Sequence, residues 1–395
     1  MSEGKRDSSK NGCPYVKKCG GCQYDGSSYS EHLKQKKKYL DKLMKPYAQV
    51  KQLVGMEHPF HYRTKVHAVM DRNRKTGSVI SGIYEQGTHR VVPIQSCMIE
   101  DEQADEIILT IRELLSSFKL KIYDEDTGYG LVRHVLIRTG YHSGQIMVVL
   151  VTASPVFPSK NNFVKALRKR HPNITTIVQN INGRGTSMVL GDKEHILYGK
   201  GYIEDTLCGC VFRISSKSFY QVNPQMTEKL YGKAIELAGL TGRETVIDAY
   251  CGIGTIGLIA ADRAHSVIGA ELNGSAVKDA VVNAKRNGIK NIWFEHMDAG
   301  EFMVKYANQG NFADVVFMDP PRSGSTTQFI DALAYMKPTK VVYISCNPET
   351  LVRDLEYFRK KGYQVKECWG YEMFPWTSHV ESTVLLQRRG ADPAH

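Results

Sequence analysis

The second half of the chain alternates short apolar runs with segments whose apolar residues recur at helical spacing. Runs rich in Val, Ile, Phe and Met predict strands at 266–271, 292–296, 313–319, 340–346 and 380–387, and residues 245–257 are predicted to form a strand, a glycine turn and the start of a helix. A helix is predicted at 275–287, capped by Ser275 and ended by Gly288, and another begins at Pro348 and ends before Gly362. Strands that alternate with helices in this way predict an α/β domain with a doubly wound, mostly parallel sheet.

Residues 59–200 follow a different pattern, in which short strands are separated by clusters of Gly, Asn, Asp and Ser. The predicted strands are 65–70, 78–84, 131–139 and 145–152, and a helix at 159–170 covers them. This pattern is typical of an antiparallel, β-rich domain. The sequence therefore predicts a disordered tail at 1–12, a β-rich domain at 13–204 and the α/β domain at 205–395.

Reactive side chains follow the predicted strands of the α/β domain. They are Asp248, Glu271, Asp298, Asp319 and Cys346. Because the carboxyl ends of parallel strands share one edge of a sheet, we expect these side chains to converge where ligands bind in such folds. Gly252, Gly254 and Gly257 have the spacing of a nucleotide-binding glycine turn, and Glu271 lies about 20 residues on, where a ribose hydroxyl needs an acceptor.

Cys346 is a candidate nucleophile. An apolar strand runs into it, and Asn347 and Pro348 then begin a helix whose N-terminus favours an anion, so we expect the thiol to ionise more readily than a free cysteine. The competing interpretation is a buried packing residue, which is common for cysteine. Glu381 precedes the last predicted strand, where a carboxylate can face the same edge as Cys346 and transfer a proton; considered alone, it looks like a surface residue.

A second set of cysteines lies in the N-terminal third. Cys13, Cys19 and Cys22 are clustered around two adjacent glycines, and Cys97 lies far downstream. Four thiols of this kind can surround a metal centre, and their spacing alone does not distinguish zinc from iron and sulfur. Disulfides are the alternative, which the absence of a secretion signal disfavours.

The net charge points to a polyanionic partner. Lys and Arg total 52 against 41 Asp and Glu, giving a formal charge of +11 over 395 residues. Neutralising phosphates releases counterions, so this balance favours a nucleic acid. The sequence shows neither a membrane span nor the apolar core of a secretion signal, so we expect a cytoplasmic protein without a membrane partner.

Five motifs together resemble a known family. In chain order they are Phe219-Tyr220-Gln221-Val222-Asn223, Asp248-Ala249-Tyr250-Cys251-Gly252-Ile253-Gly254-Thr255, Asp319-Pro320-Pro321-Arg322, Ser345-Cys346-Asn347-Pro348 and His379-Val380-Glu381. The set resembles the RNA uracil-5-methyltransferases, which use S-adenosylmethionine, and the resemblance extends from about Cys13 to Arg388. The Cys-Asn-Pro element after the Asp-Pro-Pro-Arg element is specific, whereas the glycine turn alone is not.

The resemblance assigns roles to individual residues. It implies a Rossmann-like methyltransferase sheet in which Cys346 is the nucleophile and Glu381 the base. The residues implied to line the S-adenosylmethionine site are Gln221, Tyr250, Thr255, Glu271, Asp298 and Asp319. At the position of Thr255 the family often has Asn.

The resemblance also bears on the cysteines and the substrate. Members of the family that carry a cluster have this cysteine spacing, which implies a 4Fe-4S cluster held by Cys13, Cys19, Cys22 and Cys97 in a β-rich RNA-binding domain. A helix at 27–45 is implied to pack on the methyltransferase domain. Many members have a small β-barrel ahead of the cluster motif; twelve residues precede Cys13, which favours members that act on 23S ribosomal RNA. We expect a monomer that binds RNA and not DNA.

Three alternatives stay open at this point. The same reaction on the T-loop uridine of tRNA is the second candidate. A nicotinamide-dependent oxidoreductase would use the same glycine turn, but it leaves Cys346, the Asp-Pro-Pro loop and the basic charge unexplained. An RNA-binding metalloprotein without catalytic activity is the third.

Overall fold

The chain folds into two compact units. The structure is a computed structural model that describes residues 12–24, 26–185 and 188–390. Within these ranges, the first unit comprises residues up to Ser28, Pro59–Ile203 and Ser215–Lys217, and the second comprises Tyr29–His58, Glu204–Ile214 and the chain from Ser218 onward. The tail predicted at 1–12 lies outside the described residues except for Gly12. Of the helices described, none combines the length and apolar character that crossing a bilayer requires.

The described residues contain helices and strands throughout both units. Up to residue 215 they are α1 (Tyr29–Met44), β1 (Val50–Val54), β2 (Lys65–Arg72), β3 (Val79–Tyr84), β4 (Val91–Pro93), α2 (Glu102–Ser117), β5 (Val132–Thr139), β6 (Ile146–Thr152), α3 (Lys160–Arg170), β7 (Ile174–Ile181), β8 (Lys193–Tyr198), β9 (Tyr202–Leu207) and β10 (Cys210–Ser215).

The remaining elements all belong to the second unit. They are α4 (Pro224–Ala238), β11 (Thr245–Ala249), α5 (Thr255–Ala261), β12 (Ser266–Glu271), α6 (Gly274–Arg286), β13 (Ile292–His296), α7 (Ala299–Asn308), β14 (Val315–Met318), α8 (Thr327–Met336), β15 (Lys340–Ser345), α9 (Pro348–Lys360), β16 (Tyr363–Tyr371) and β17 (Glu381–Arg388).

The first unit is built on a seven-stranded sheet with the order β4-β3-β2-β5-β6-β7-β8. The four strands predicted in this region are confirmed as β2, β3, β5 and β6. Five of the six strand pairs in this sheet are antiparallel, in line with the predicted antiparallel, β-rich domain, and the exception is the parallel pair β6 and β7. Parallel neighbours need a crossover connection, and α3 lies in the segment that joins these two strands.

The core of the first unit lies on one face of its sheet. Its largest contribution from a single helix comes from α2, whose buried apolar residues recur every three or four positions and include Ile107, Ile111 and Leu115. Asp101 caps this helix by accepting a hydrogen bond from the amide of Ala104 at 3.1 Å. Helix α2 was not predicted from the sequence, although its apolar residues recur at helical spacing.

The second unit contains an eight-stranded sheet with the order β1-β16-β17-β15-β14-β11-β12-β13. Strands β11 to β15 pair in parallel, as predicted, and the connecting segments contain helices. The predicted doubly wound α/β fold is confirmed. Strands β14 and β15 are buried along nearly their whole length, which explains why they appear in the sequence as continuous apolar runs.

The helix following β12 shows a small error in the predicted start. Asn273, and not Ser275, is its cap, and the Asn273 side chain accepts hydrogen bonds from the amides of Ser275 (2.9 Å) and Ala276 (3.3 Å). The helix therefore begins one residue earlier than predicted, at Gly274. The cap predicted at Asn347 is confirmed, since its side chain accepts from the amide of Glu349 at 3.1 Å.

Two N-terminal elements, α1 and β1, complete the second unit, although they are far in sequence from its other elements. Strand β1 pairs in parallel with β16, and helix α1 buries Leu40 and Met44 completely in the same core as Leu53 and Cys368. Strand β17 runs antiparallel between β15 and β16. Because β17 runs in the opposite direction, its first residues lie at the edge where β15 ends.

Candidate active site

The carboxyl edge of the second unit's sheet gathers the side chains predicted to converge there. Asp248 lies near the end of β11, Glu271 ends β12, and Asp298 follows β13. Asp319 and Cys346 each come directly after a strand, β14 and β15 respectively. Since these five strands are successive neighbours in the sheet, the edge carries four carboxyl groups and one thiol.

The turn after β11 requires unusual backbone conformations. Gly252 and Gly254 have φ angles of 57° and 84°, and Tyr250 adopts 67°, which is uncommon for a residue with a side chain. At Gly257, a Cβ atom would lie 2.9 Å from Oδ2 of Asp248, so glycine permits the close approach of helix and strand. The three glycines of the motif thus shape the turn, and strain at Tyr250 is typical of a functional site.

Asp248 lies buried under this turn. Its Oδ2 accepts a hydrogen bond from the amide of Gly257 at 2.7 Å, whereas its buried Oδ1 has no partner in the described part of the chain. Burial raises the pKa of Asp248 to about 7, assisted by the charges of Asp319 and Glu271. A buried oxygen without a partner, at the edge where ligands bind, is available to a ligand or to water.

Backbone amides hold the next two carboxylates. Glu271 accepts from the amides of Gly252 (3.0 Å) and Asn273 (2.7 Å), which ties the end of β12 to the glycine turn. Asp298 caps helix α7 and accepts from the amide of Gly300 at 2.8 Å. Both carboxylates are therefore oriented by main-chain donors and keep lone pairs for further hydrogen bonds.

Tyr231 lies near three residues of the predicted cofactor site, and the sequence analysis did not identify it. This tyrosine of α4 is buried, and the side chains of Thr255 and Gln221 both act on its hydroxyl, lowering its pKa. Burial and the nearby charge of Asp319 raise its pKa well above the usual value, so it remains a neutral hydroxyl. The signal for it was the position of α4 directly after the Phe219 to Asn223 motif.

Cys346 and Glu381 each adjoin the last opposed pair of two antiparallel strands. The register of β15 and β17 runs from Lys340 opposite Gln387 to Ser345 opposite Ser382, Cys346 follows Ser345, and Glu381 precedes Ser382. The charge of Glu381 acts on the thiol of Cys346, so the two groups are near each other. Glu381 is buried and Cys346 is half-buried. The interpretation of Glu381 as a surface residue is therefore wrong.

The thiol of Cys346 has a raised pKa, contrary to the expectation of easier ionisation. Burial raises it to about 12, and the carboxyl groups of Glu381 and Asp319 add to the effect. The Arg322 guanidinium acts in the opposite direction. The N-terminus of α9 is outweighed here because desolvation and two nearby carboxyl groups all disfavour a thiolate.

Glu381 and Asp319 are also easier to protonate than ordinary carboxyl groups. Burial raises the pKa of Glu381 to about 8, with a further increase from Asp319 and a decrease from Arg322. Burial alone raises the pKa of Asp319 to about 7. Acid and base groups whose pKa values lie near neutrality are suited to proton transfer.

The Asp-Pro-Pro-Arg loop is fastened to helix α9. The carbonyl oxygen of Arg322 accepts hydrogen bonds from Asn347 Nδ2 (3.1 Å) and from Thr350 Oγ1 (3.2 Å). Buried Asp354 accepts from the amide of Ser325 and from the hydroxyl of Tyr343, both at 2.7 Å. The loop that follows Asp319 is thus held to the helix that follows Cys346, which fixes the two side chains relative to each other.

The four N-terminal cysteines all lie in the first unit. The amide of Gly21 donates to Cys19 Sγ at 3.4 Å, and Cys13 and Cys22 both influence the pKa of Cys19, which burial raises. Burial also raises the pKa of Cys97, and the charge of Glu100 adds to it. Glu100 likewise raises the pKa of Cys19 and Cys22, so it is a common neighbour of the clustered thiols and Cys97.

The arrangement of these thiols does not meet the geometry of a metal site. Among the residues that the structure describes, no group of three or more His, Cys, Asp or Glu side chains is arranged to hold a metal ion. Four half-buried thiols without disulfides are nevertheless the donor set that soft metal centres use. At Gly21 a Cβ would lie 3.0 Å from Ile83 Cδ1 and 3.4 Å from Cys19 Sγ, so glycine keeps this position beside one of the sulfurs free of a side chain.

Comparison with known proteins identifies the class. Residues 28–389 match the family described as tRNA (uracil-5-)-methyltransferase. An uncharacterised RNA methyltransferase of Halalkalibacterium halodurans is 40% identical over 392 residues, covering 98% of this chain and 85% of its own. Another, from Oceanobacillus iheyensis, is 41% identical over 374 residues, covering 93% and 81% of the two chains. The protein is thus an RNA methyltransferase.

A solved structure agrees with this result. The tRNA (uracil-54, C5)-methyltransferase of Pyrococcus abyssi in complex with S-adenosyl-L-homocysteine aligns with a TM-score of 0.79 and 26% identity, covering 93% of this chain and 86% of that one. The α/β unit has the Rossmann-like fold of S-adenosylmethionine-dependent methyltransferases. The chain belongs to the tRNA (uracil-5-)-methyltransferase family. Its enzyme class is methyl transfer dependent on S-adenosylmethionine, so the interpretation as a nicotinamide-dependent oxidoreductase is set aside.

The raised pKa of Glu381 predicts how the folded state responds to pH. The carboxyl is neutral in both folded and unfolded chains at low pH, but between about pH 4.5 and pH 8 the unfolded chain ionises first, so stability falls as pH rises. Glu381→Gln mimics the neutral form. We expect it to raise the free energy of unfolding at about pH 9 by on the order of 3 kcal/mol, with little change at about pH 4.

Urea denaturation at the two pH values measures this difference. Glu349→Gln is the matched control, because it makes the same substitution at an exposed carboxylate at the start of α9. Parallel stability curves for wild type and Glu381→Gln would contradict the raised pKa.

Proposed function

We propose that the protein methylates carbon 5 of a specific uridine in RNA, with 23S ribosomal RNA as the substrate, through a covalent adduct between Cys346 and carbon 6 of the uracil. Glu381 is the base that resolves the adduct. The observation that carries this proposal is that Cys346 and Glu381 adjoin the last opposed pair of β15 and β17, and that the charges of Glu381 and Asp319 act on the thiol. A nucleophile and a proton acceptor on adjacent strands can work on the two neighbouring carbons of one pyrimidine ring.

We also propose where S-adenosylmethionine binds. Its binding residues are Gln221, Tyr250, Thr255, Glu271, Asp298 and Asp319. The positive φ of Tyr250, the effect of Thr255 and Gln221 on the buried hydroxyl of Tyr231, and the backbone-held carboxylates support this set. When bound, the cofactor supplies an electrophilic methyl group on a positively charged sulfur. A positive charge at an edge rich in carboxyl groups also lowers the pKa of a nearby thiol, which Cys346 needs.

The chemistry proceeds in two stages. The thiolate of Cys346 adds to carbon 6, and the electron pair of the carbon 5–carbon 6 double bond moves into an enolate, which makes carbon 5 nucleophilic. Carbon 5 takes the methyl group, and the donor sulfur keeps the electrons of the broken bond. Glu381 then removes the proton from carbon 5, the double bond re-forms, and the thiolate of Cys346 leaves. The uridine must be unstacked for this attack, which costs a few kcal/mol.

The division of labour between domains is part of the same proposal. Residues 13–204 form the domain that binds RNA, and residues 205–395 transfer the methyl group together with helix α1, which belongs to the same compact unit. A 4Fe-4S cluster held by Cys13, Cys19, Cys22 and Cys97 organises the N-terminal part of the RNA-binding domain. The effect of Glu100 on Cys19, Cys22 and Cys97 and the absence of a side chain at Gly21 support this ligand set. The cytoplasmic location and the monomeric state stay predictions.

The T-loop uridine of tRNA is the second candidate substrate. The Pyrococcus abyssi enzyme described above is a tRNA (uracil-54, C5)-methyltransferase, which favours this alternative. We expect labelled methyl from S-adenosylmethionine to enter 23S rRNA that lacks the modification, and tRNA to be labelled much less. Mapping of 5-methyluridine in both RNAs measures the outcome; labelling of tRNA alone would establish the second candidate, and methyl on adenine or guanine would exclude both.

Two substitutions separate the proposed stages. Cys346→Ser should abolish methylation, because a serine hydroxyl is much less acidic and less nucleophilic than a cysteine thiol. Glu381→Gln should form the adduct and fail to resolve it, so a covalent RNA–protein band accumulates while turnover falls by about 100 to 10,000-fold. Denaturing gels of protein with labelled RNA detect the band. If RNA bearing 5-fluorouridine fails to trap the wild-type protein in the presence of the methyl donor, the adduct mechanism is wrong.

The cluster assignment is tested independently of methyl transfer. Cys97→Ser removes one proposed ligand and should abolish the brown colour and the iron content of the purified protein, while binding of S-adenosylmethionine persists. Cys210→Ser is the control, because Cys210 lies in the β9–β10 hairpin and belongs to no proposed ligand set. Visible absorption and metal analysis are the measurements, and a colourless wild type that contains zinc would contradict the assignment.

A further inference from the structure

Helix α1 has one lysine that is buried. The side chain of Lys36 is 6% exposed, whereas Lys34 and Lys38 on the same helix are exposed. Its Nζ donates to Glu372 Oε1 at 2.7 Å, to the carbonyl oxygen of His379 at 2.6 Å and to that of Phe374 at 3.3 Å. The three protons of the ammonium group therefore have three acceptors, all on the connection between β16 and β17.

This connection, residues 372–380, is held by more than the ammonium group. Trp376 is buried and adopts a φ of 66°, and the rings of Tyr29 and His32 pack on it with centroid distances of 5.3 and 5.5 Å. Within the connection, Thr377 Oγ1 donates to the carbonyl oxygen of Phe374 at 2.8 Å. The left-handed backbone at a tryptophan persists only where surrounding contacts impose it, and helix α1 supplies them.

The ion pair is a costly way to hold a helix on a core. Glu372 is fully buried, and its second carboxylate oxygen has no hydrogen-bond partner among the described residues. Desolvation of two charges offsets most of their attraction, and apolar side chains of similar size stabilise such positions at least as well. What apolar side chains lack is the ability to bind the carbonyl oxygens of Phe374 and His379, so the lysine fixes the backbone geometry of the connection.

The fixed backbone leads directly to the proposed base. His379 is two residues before Glu381, and its Nδ1 lies 3.1 Å from Nη2 of Arg322, whose charge acts on both Cys346 and Glu381. We propose that Lys36 is a positioning residue. By holding the 372–380 connection, it keeps the His379–Arg322 contact in place and positions the Glu381 carboxyl to remove the carbon 5 proton. This proposal rests on the proposed function, because it assigns Lys36 to the second of its two stages.

The two stages depend on Lys36 to different extents. Cys346 follows β15, and the Arg322 loop is fastened to α9 by bonds that do not involve the 372–380 connection, so we expect addition to carbon 6 to depend on that connection less than proton removal does. Proton removal does require it, since a base must be within hydrogen-bond reach of the proton. A general loss of structure would slow both stages, and only a positioning role slows resolution alone.

The test uses the full chain with labelled RNA under single-turnover conditions. Lys36→Met removes the ammonium group, and the double variant Lys36→Met with Glu372→Met removes both charges, so that no unpaired charge is left buried. In both variants we expect resolution of the adduct to slow by about 10 to 100-fold, while adduct formation changes by less than about 3-fold. The covalent band should therefore accumulate in both, as with Glu381→Gln.

Two further variants distinguish the backbone contacts from the charge pair. Glu372→Gln keeps an acceptor for Lys36 and leaves its bonds to both carbonyl oxygens, so resolution should stay close to the wild-type rate. Lys34→Met, an exposed lysine of the same helix, should leave both stages unchanged. Circular dichroism on each variant reports whether it is folded.

Each outcome decides a separate point. If Glu381→Gln accumulates no adduct, the proposed function fails before Lys36 is considered. If Glu381→Gln accumulates it and the double variant resolves its adduct at the wild-type rate, or loses both stages equally, the positioning role is overturned. Failure of both Lys36 variants to fold while Glu372→Gln folds would also overturn it, because Lys36 would then be required for stability.

Discussion

The candidate site depends on the direction of one strand. Strand β17 runs antiparallel between β15 and β16 in a sheet whose central strands are parallel, so its first residue lies at the edge where the other strands end. Without that reversal, Glu381 would lie at the opposite edge from Cys346. The direction of β17 therefore brings together a thiol and a carboxyl group that are 35 positions apart in the sequence.

The buried acidic groups at this edge favour the binding of a positively charged ligand. Asp248, Asp319, Glu381 and Cys346 all have raised pKa values, and burial is the largest cause in each case. Arg322 is the cation that lowers the pKa of both Glu381 and Cys346. Concentrating acidic groups in a region of low dielectric costs folding free energy, and it makes their protonation sensitive to whatever cation binds beside them.

The sequence predicted the parts of the fold in which local pattern and burial agree. Strands β12 and β13 match the predicted bounds, and Asn347 is the predicted cap, because continuous apolar runs and capping residues are local signals. The pKa of Cys346 was predicted in the wrong direction, since desolvation by distant parts of the chain is not visible in its neighbours in sequence. The same reason applies to Lys36, one of several lysines on α1, whose burial depends on partners 336 to 343 positions away.

The order of the chain through its two units determines when each can fold. Most of the first unit, Pro59–Ile203, is inserted between α1–β1 and the rest of the second unit. On the ribosome, the inserted unit has all its main partners early, whereas β1 cannot pair until β16 emerges near the end of synthesis. Until then the apolar faces of α1 and β1, including Leu40 and Met44, lack their native cover. A chain that stops before β16 would thus contain a folded inserted unit joined to α1 and β1, whose apolar faces stay exposed. Such truncated chains are candidates for aggregation or for binding by chaperones.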